Sequence, residues 1–435
     1  MRRGLTLVAM LVGAQALAEP AALPAADAVF ETFDPAQVEL GQLLFYDPIL
    51  SGGKTVSCAT CHHPRFGTGD GLSLGIGDGG RGVGPDRQPD PDNLPEERIP
   101  RNAPALFNLG ATEFTVMFHD GRLEADASRP GGIRTPLGED MAADFASVLS
   151  AQSMFPVLSP DEMAGHYGES DVSRAVRQGL LTGEGGAWDI IARRVAAIPV
   201  YAQQFRALQG DRPVTFTAIS DAIAAFIATE WRADDSPFDR YLRGEGTLPE
   251  AAQRGMALFY GEAGCSDCHA GQFQTDHGFH AIAVPQFGPG KAARFEGHAR
   301  DTGRMRVTGD PADAYAFRTP SLRHVTQTAP YGHNGAFADL AAVIHHHRDP
   351  ASSLKTWKIE AAHLTPLEGV ADDWVLTRPE ELAAIAAANT LAPTRLEEAQ
   401  IADIIAFLET LTDPAATAGR LGVPAQVPSG LPVDQ

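Results

Sequence analysis

The 435-residue sequence predicts a mainly α-helical protein, with two helical domains in tandem and long ordered loops between their elements. Three observations predict this. A Cys-x-x-Cys-His pattern occurs twice, at Cys58–His62 and Cys265–His269, and these copies hold all four cysteines. The motifs around each copy recur in the same order, as in an internal duplication. No stretch sustains the apolar–polar alternation of a half-buried strand, so strands should be few and short.

The repeated pattern is the attachment sequence of a c-type haem. Cysteines three apart lie on one side of a helical turn, so each thiol can form a thioether to one vinyl group, and the next His sits beneath the ring as iron ligand. Two disulfides or a zinc site would use the same thiols, but neither explains a His after each pair. Two covalent haems are therefore expected, held by Cys58, Cys61 and His62 and by Cys265, Cys268 and His269. The repeat extends outward. Gly41-Gln42-Leu43-Leu44-Phe45-Tyr46 precedes the first site and Gly255-Met256-Ala257-Leu258-Phe259-Tyr260 the second. Arg101-Asn102-Ala103-Pro104 and His119-Asp120-Gly121 follow the first; Arg318-Thr319-Pro320 and His333-Asn334-Gly335 follow the second. Each half thus reads as a cytochrome-c-like domain.

Along the chain, residues 1–18 read as a signal peptide. Arg2 and Arg3 precede an apolar stretch from Leu5 to Leu17, and Ala16-Leu17-Ala18 supplies the cleavage pattern before Glu19. The apolar stretch is too short to span a bilayer and no later segment is long enough, so a mature periplasmic protein without a membrane span is expected. Asp34 caps a helix with Pro35 at its first position, running through Val38, Gly41 and Phe45. Residues 67–100, with nine glycines between Gly67 and Gly84, form an ordered loop around the first haem without regular structure. Ile219, Ala222, Ile223, Phe226, Ile227 and Glu230 form a helical stripe that closes the first domain. Asp234 to Thr247 reads as a linker, and Leu248-Pro249 opens the counterpart of the first helix. Thr394-Arg395-Leu396-Glu397 has the capping-box pattern ahead of a helix burying Ile401, Ile404, Ile405 and Leu408. The domains are then 19–235 and 236–420, with 421–435 a flexible tail. A formal charge of −21 argues against a nucleic-acid partner and for docking against a basic patch.

The ligand opposite each proximal His decides function, because a haem closed on both faces only transfers electrons while a vacant face can bind peroxide or oxygen. For the second haem the candidates are Met305, His324, His333 and the run His345-His346-His347, although a Met is often core filling and a His run can be a solvated helix end. Between Pro64 and Ile99 there is no His or Met, which leaves the first haem open.

These residues resemble the bacterial di-haem cytochrome c peroxidase family, MauG-like enzymes included, from about Pro35 to Pro414. The motifs carrying the resemblance are G-x-x-L-F-x-D-P-x-L-S at Gly41–Ser51, R-N-x-P-x-L-x-N at Arg101–Asn108, F-x-D-G-R at Phe118–Arg122 and T-A-P-Y-x-H-x-G at Thr328–Gly335, with the two haem sequences. The resemblance implies that the N-terminal haem reacts with hydrogen peroxide and the C-terminal haem takes electrons from a small cytochrome c or a cupredoxin. It also implies catalytic roles for Gln152 and Glu162, flanking Pro156 and followed by Met163. A carboxylate there would move a proton between peroxide oxygens; otherwise Glu162 simply faces solvent. Where family peroxidases carry a capping His, Ile76 stands here, implying a permanently open reactive haem. Where the second haem has Met or Tyr, His347 stands, with His346 and Met305 as alternatives. His119 replaces a Trp between the haems, and residues 122–152 are longer than in the common peroxidases. A calcium ion held by Asn102, Thr328 and Pro330 is implied too, and a second copy of the chain in a homodimer is an expected partner. The competing readings are a MauG-like enzyme that oxidises residues of a partner protein, and an electron-transfer protein without catalysis.

Overall fold

The computed structural model describes residues 22–141 and 145–435; the expected signal peptide lies outside the described residues. The helices that build the site are α1 (Pro35–Tyr46), α2 (Val148–Ser153), α3 (Phe216–Glu230), α4 (Pro237–Leu242), α5 (Glu250–Phe259), α6 (Leu340–Arg348) and α7 (Glu398–Glu409). Asp34 caps α1 as expected, accepting a hydrogen bond from the Ala36 amide at 2.9 Å. Strands are two or three residues long and pair antiparallel: β1 (Gly80–Arg81) with β2 (Gln88–Pro89), β3 (Val116–Met117) with β4 (Leu123–Ala125), β4 with β5 (Ile133–Arg134), and β6 (Phe279–His280) with β7 (Phe317–Arg318).

The duplication is visible as a repeated helix crossing. Helix α1 crosses α3 in the first half, and α5 crosses α7 in the second. The repeated glycine of each Gly-x-x-Leu-Phe-Tyr motif sits at the point of closest approach. A Cβ on Gly41 would lie 1.9 Å from the Ala222 carbonyl oxygen, and one on Gly255 would lie 1.8 Å from that of Asp403. The aromatic pair ending each motif then packs beside the crossing. Phe45 meets Phe226 and Trp231 at centroid distances of 5.3 Å, while Phe259 meets Phe407 at 5.2 Å. Fully burying one such side chain is worth roughly 1.5–3 kcal/mol, so each crossing anchors its own core.

Some local expectations are corrected. Helix α7 starts at Glu398 with Glu397 as cap and Gln400 completing the capping box, so Thr394 caps nothing; its amide donates to the Arg348 carbonyl instead. Its buried face contains Phe407, while Ile405 is only partly buried. The segment expected as a linker contains α4, whose Phe238 is wholly buried in the second core. The glycine-rich loop is not free of regular structure, since it contains the β1–β2 pair. Residues 421–435, expected to be a flexible tail, run back over the first half. Ser429 donates to Asp47 at 2.6 Å, Thr60 donates to Asp434 at 2.5 Å, and Val427 is buried in the first core.

The two halves meet through a buried polar cluster. Arg101 makes a two-pronged contact with Asp301 (2.7 and 2.9 Å) and reaches Asp120 at 2.8 Å. The Arg318 amide donates to the His119 carbonyl at 2.8 Å, and the Asn102 amide to that of His333 at 3.0 Å. Arg304 donates to the Gly121 carbonyl at 2.9 Å. The motif residues that follow each haem sequence therefore bind the opposite half.

Candidate active site and haem-attachment turns

Cys58–Cys61 is a single helical turn, entered through Ser57, whose amide donates to Thr60 Oγ1 at 2.9 Å. The turn places Cys58, Cys61 and His62 on the wall of a cleft with about 1120 Å³ of empty space, part of it open to solvent. His62 Nδ1 bonds the Thr68 carbonyl at 2.9 Å, which fixes the ring and leaves Nε2 as the atom available to a ligand. Burial lowers the His62 pKa, the direction that favours the neutral imidazole iron ligation requires. The four thiols form no disulfide. Burial pushes the Cys58 thiol up to about 12 and raises Cys61 as well, which disfavours free thiolates there. With largely apolar walls that include Phe45, Leu106, Leu149, Ile223 and Ile227, and with Arg101, Arg122 and Lys291 also on the lining, the cavity suits a haem, whose ring is apolar and whose two propionates are anionic.

The same cavity contains both proposed peroxide-handling residues. Gln152 comes from α2, whose start Ser147 caps by accepting from the Ser150 amide at 3.1 Å. Its Oε1 is buried with no hydrogen-bond partner. Glu162 comes from a π-helical turn, Pro160–Ala164, a conformation often found at functional sites. Its side chain lines the cavity and is half-buried. Burial raises its pKa, opposed by the charges of Lys291 and Arg122.

Glu162 is held by the glycine-rich loop. The Asp78 amide donates to the Glu162 carbonyl at 2.9 Å and to that of Asp161 at 3.2 Å. A Cβ on Gly77 would sit 2.4 Å from both carbonyl oxygens, so only glycine lets the loop come this close. Arg87 stiffens the loop by donating to the carbonyls of Ile76 and Gly77, both at 2.6 Å. Ile76 itself is buried.

His119, Arg101, Asn102, Arg122 and Lys291 also line the cavity. Burial, helped by the Arg101 charge, lowers the His119 pKa to about 4, and its Nε2 bonds the Asn102 carbonyl at 3.2 Å. Arg101 and Arg122 stand in motifs visible in the sequence. Lys291 was missed, and nothing near it in sequence signals that a loop of the second half reaches this cavity.

The second attachment turn repeats the first. The His269 amide donates to the Cys265 carbonyl at 2.9 Å, and His269 Nδ1 bonds the Gln274 carbonyl at 3.0 Å, again leaving Nε2. Burial, with a contribution from the nearby His347, lowers its pKa to about 4. The three histidines of α6 differ in their surroundings. His345 is exposed and faces Glu398, the solvated helix end considered above. His346 uses both ring nitrogens, with Ser353 Oγ at 2.9 Å and the Ile282 carbonyl at 2.7 Å. His347 bonds the Val343 carbonyl through Nδ1 at 2.7 Å, and its Nε2 remains. Met305 opens a short helical turn and is half-buried. Cys268, Asp276 and His280 also converge, with ligand atoms within 4.8 Å of one another.

Asn102, Thr328 and Pro330 lie in segments that pack together. Asn102 Nδ2 donates to the Leu72 carbonyl at 2.7 Å, which leaves Oδ1 for another partner. The neighbouring Ser73 donates to the Gly335 carbonyl at 2.7 Å, and a Cβ on Gly335 would lie 3.0 Å from Pro330.

A profile of the family described as "Di-haem cytochrome c peroxidase" matches residues 35–247. The chain is 30% identical over 403 residues to the methylamine utilization protein MauG of Paracoccus denitrificans, covering 87% of this chain and 89% of that one. It is 29% identical over 307 residues to the cytochrome c551 peroxidase of Nitrosomonas europaea, covering 70% and 71%. Among solved structures it resembles a MauG-like protein associated with microbial copper homeostasis, with a TM-score of 0.58, 26% identity and coverage of 94% and 97%.

Proposed function

The chain belongs to the di-haem cytochrome c peroxidase family and is an oxidoreductase of that type; from that premise we propose that it is a periplasmic enzyme reducing hydrogen peroxide to water with electrons from a small cytochrome c or cupredoxin. The single observation that carries the reading is the shared cavity, with His62 and the two thiols, Gln152 and Glu162 all on its wall. Haem c, when bound, supplies an iron that exchanges electrons with peroxide and with a donor. The family implies two such groups. We assign one to Cys58, Cys61 and His62 within residues 19–235, and the other to Cys265, Cys268 and His269 within 236–420.

Two electrons and two protons convert hydrogen peroxide to two waters. Glu162 takes the proton of one peroxide oxygen and delivers it to the departing oxygen, a task suited to a carboxyl whose pKa burial raises. Gln152, on the same cavity wall, is the second group that would hydrogen-bond the peroxide. At the second turn His347 is the candidate distal ligand, since His346 has no nitrogen to spare. Asn102, Thr328 and Pro330 are the candidate calcium ligands, as oxygen donors suited to a hard cation. No described helix is long and apolar enough to cross a membrane.

Steady-state consumption of hydrogen peroxide with a reduced cytochrome c tests the reading. Glu162→Gln should lower kcat about a hundredfold or more while the absorption of both haems is unchanged. Equal rates in variant and wild type would contradict it. A second reading, MauG-like oxidation of residues in a partner protein, is favoured by Ile76 standing where a capping His would close the cavity.

A further inference from the structure

The two attachment turns carry the same motif but differ in what lies against them. In the first, the residue before the second cysteine is Thr60, which is wholly buried, and His63, directly after His62, is buried too. In the second, the matching residues are Asp267, which is exposed, and Ala270, which is partly so. The end of the chain lies against the first turn, and its anchors all belong to the first half.

Residues 423–435 are held at both ends and in the middle. Just before the segment, the Glu230 carboxylate accepts the Leu421 and Gly422 amides at 2.7 and 2.8 Å, and Gln42 donates to the Gly422 carbonyl at 2.8 Å. In the middle, Val427 is buried in the first core. Ser429 donates there to one oxygen of Asp47, whose other oxygen accepts the Tyr201 hydroxyl at 2.7 Å. At the far end, Thr60 donates to Asp434 at 2.5 Å and Arg65 to the Gln435 carbonyl at 3.0 Å. Leu431 and Val433 pack, partly buried, in the same cluster as Cys58. The segment has no helix or strand of its own, so these tertiary anchors alone offset the entropy lost in fixing it.

We propose that residues 423–435 are an insulating strap, which keeps a donor protein off the first attachment turn so that electrons enter only at the second. The inference rests on the reading of the chain as a two-haem enzyme fed by a donor protein, and it adds the element that decides the point of entry. A protein donor has to bring its own redox group close to the receiving one, and at the first turn the strap occupies that approach.

The test is reduction of the oxidised holoenzyme by flavodoxin hydroquinone, a small protein donor without iron. Each molecule gives one electron to a ferric haem and becomes the semiquinone. High salt screens the charge repulsion between two acidic proteins. Rapid-freeze electron paramagnetic resonance follows the ferric signal of the first haem. In the full chain its rate of loss should level off as flavodoxin rises, because every electron arrives through the second haem. Without residues 423–435 the levelling should be lost and the rate should climb in proportion to flavodoxin. Should the truncated chain fail to fold, Ser429→Ala combined with Asp434→Ala frees the far end of the strap and keeps Val427 in the core. In that variant the amides of residues 57–62 should exchange with deuterium about tenfold faster or more than in wild type, and those of residues 265–269 at unchanged rates. Levelling in both chains, no levelling in the full chain, or unchanged exchange at residues 57–62 overturns the inference. A strap-dependent limit in a chain that consumes no peroxide would keep the strap and remove the peroxidase reading. Normal peroxide turnover with a limit that ignores the strap would remove the strap alone.

Discussion

Glu162 is a residue whose environment disfavours its charged form at the expense of stability. Burial disfavours its charge, and Lys291 and Arg122 only partly restore it. The sign follows from linkage. A carboxyl with a raised folded pKa contributes nothing in acid, where it is protonated folded or unfolded, and destabilises the fold above its unfolded pKa. Glu162→Gln should therefore melt at or above the wild-type temperature at neutral pH, with the difference vanishing as the pH drops below the ordinary glutamate range. A variant that melts well below wild type would show that Glu162 is structural. Much at this scale was legible. The cysteine and histidine spacing singles out Cys58, Cys61 and His62, the family pattern singles out Gln152 and Glu162, and the fold brings all five to one cavity. Lys291 was illegible because it reaches the cavity only through the packing of the two halves.

The helix crossings show what a motif conveys and what it conceals. Gly41 and Gly255 were visible as the first letters of a repeat, but their purpose depends on Ala222 and Asp403, which are distant in sequence. Gly255→Ala should force α5 away from α7 and lower stability by about 1–3 kcal/mol or more, read as a fall in the holoenzyme's melting temperature. An unchanged melting temperature would mean that the helices separate freely. The glycine-rich loop was equally half-legible: composition gives a loop, but only tertiary contact makes Gly77 and Asp78 the support of Glu162. Thr394 misled because its side chain fits the capping pattern, whereas its backbone is engaged by Arg348 and the helix begins at Glu398.

At the scale of the whole molecule, the halves are joined by buried charge. Burial works to raise the Asp301 pKa, but the Arg101 guanidinium overcomes this and holds it well below the usual carboxylate range. Such a group stabilises the fold above its unfolded pKa of about 3.9 and loses that contribution as the pH falls toward its depressed folded value. Denaturant melts should therefore show stability declining below about pH 4, and Arg101→Met should cost about 3–5 kcal/mol by stranding a buried carboxylate. An unaffected variant would mean that the cluster does not couple the halves. The two-part organisation was legible from the duplication. The path of residues 421–435 was not, because their proline- and glycine-rich composition suggests a free tail, while Asp47 and Thr60 meet them only in the folded chain. The central claim is that one iron site keeps an open face beside Glu162 while the other is closed by His347. Electron paramagnetic resonance of the resting holoenzyme, before and after one equivalent of peroxide, tests it most directly. One high-spin and one low-spin ferric signal are predicted, with the high-spin signal lost promptly in wild type and slowly in Glu162→Gln. Two low-spin signals, unmoved by peroxide, would contradict it.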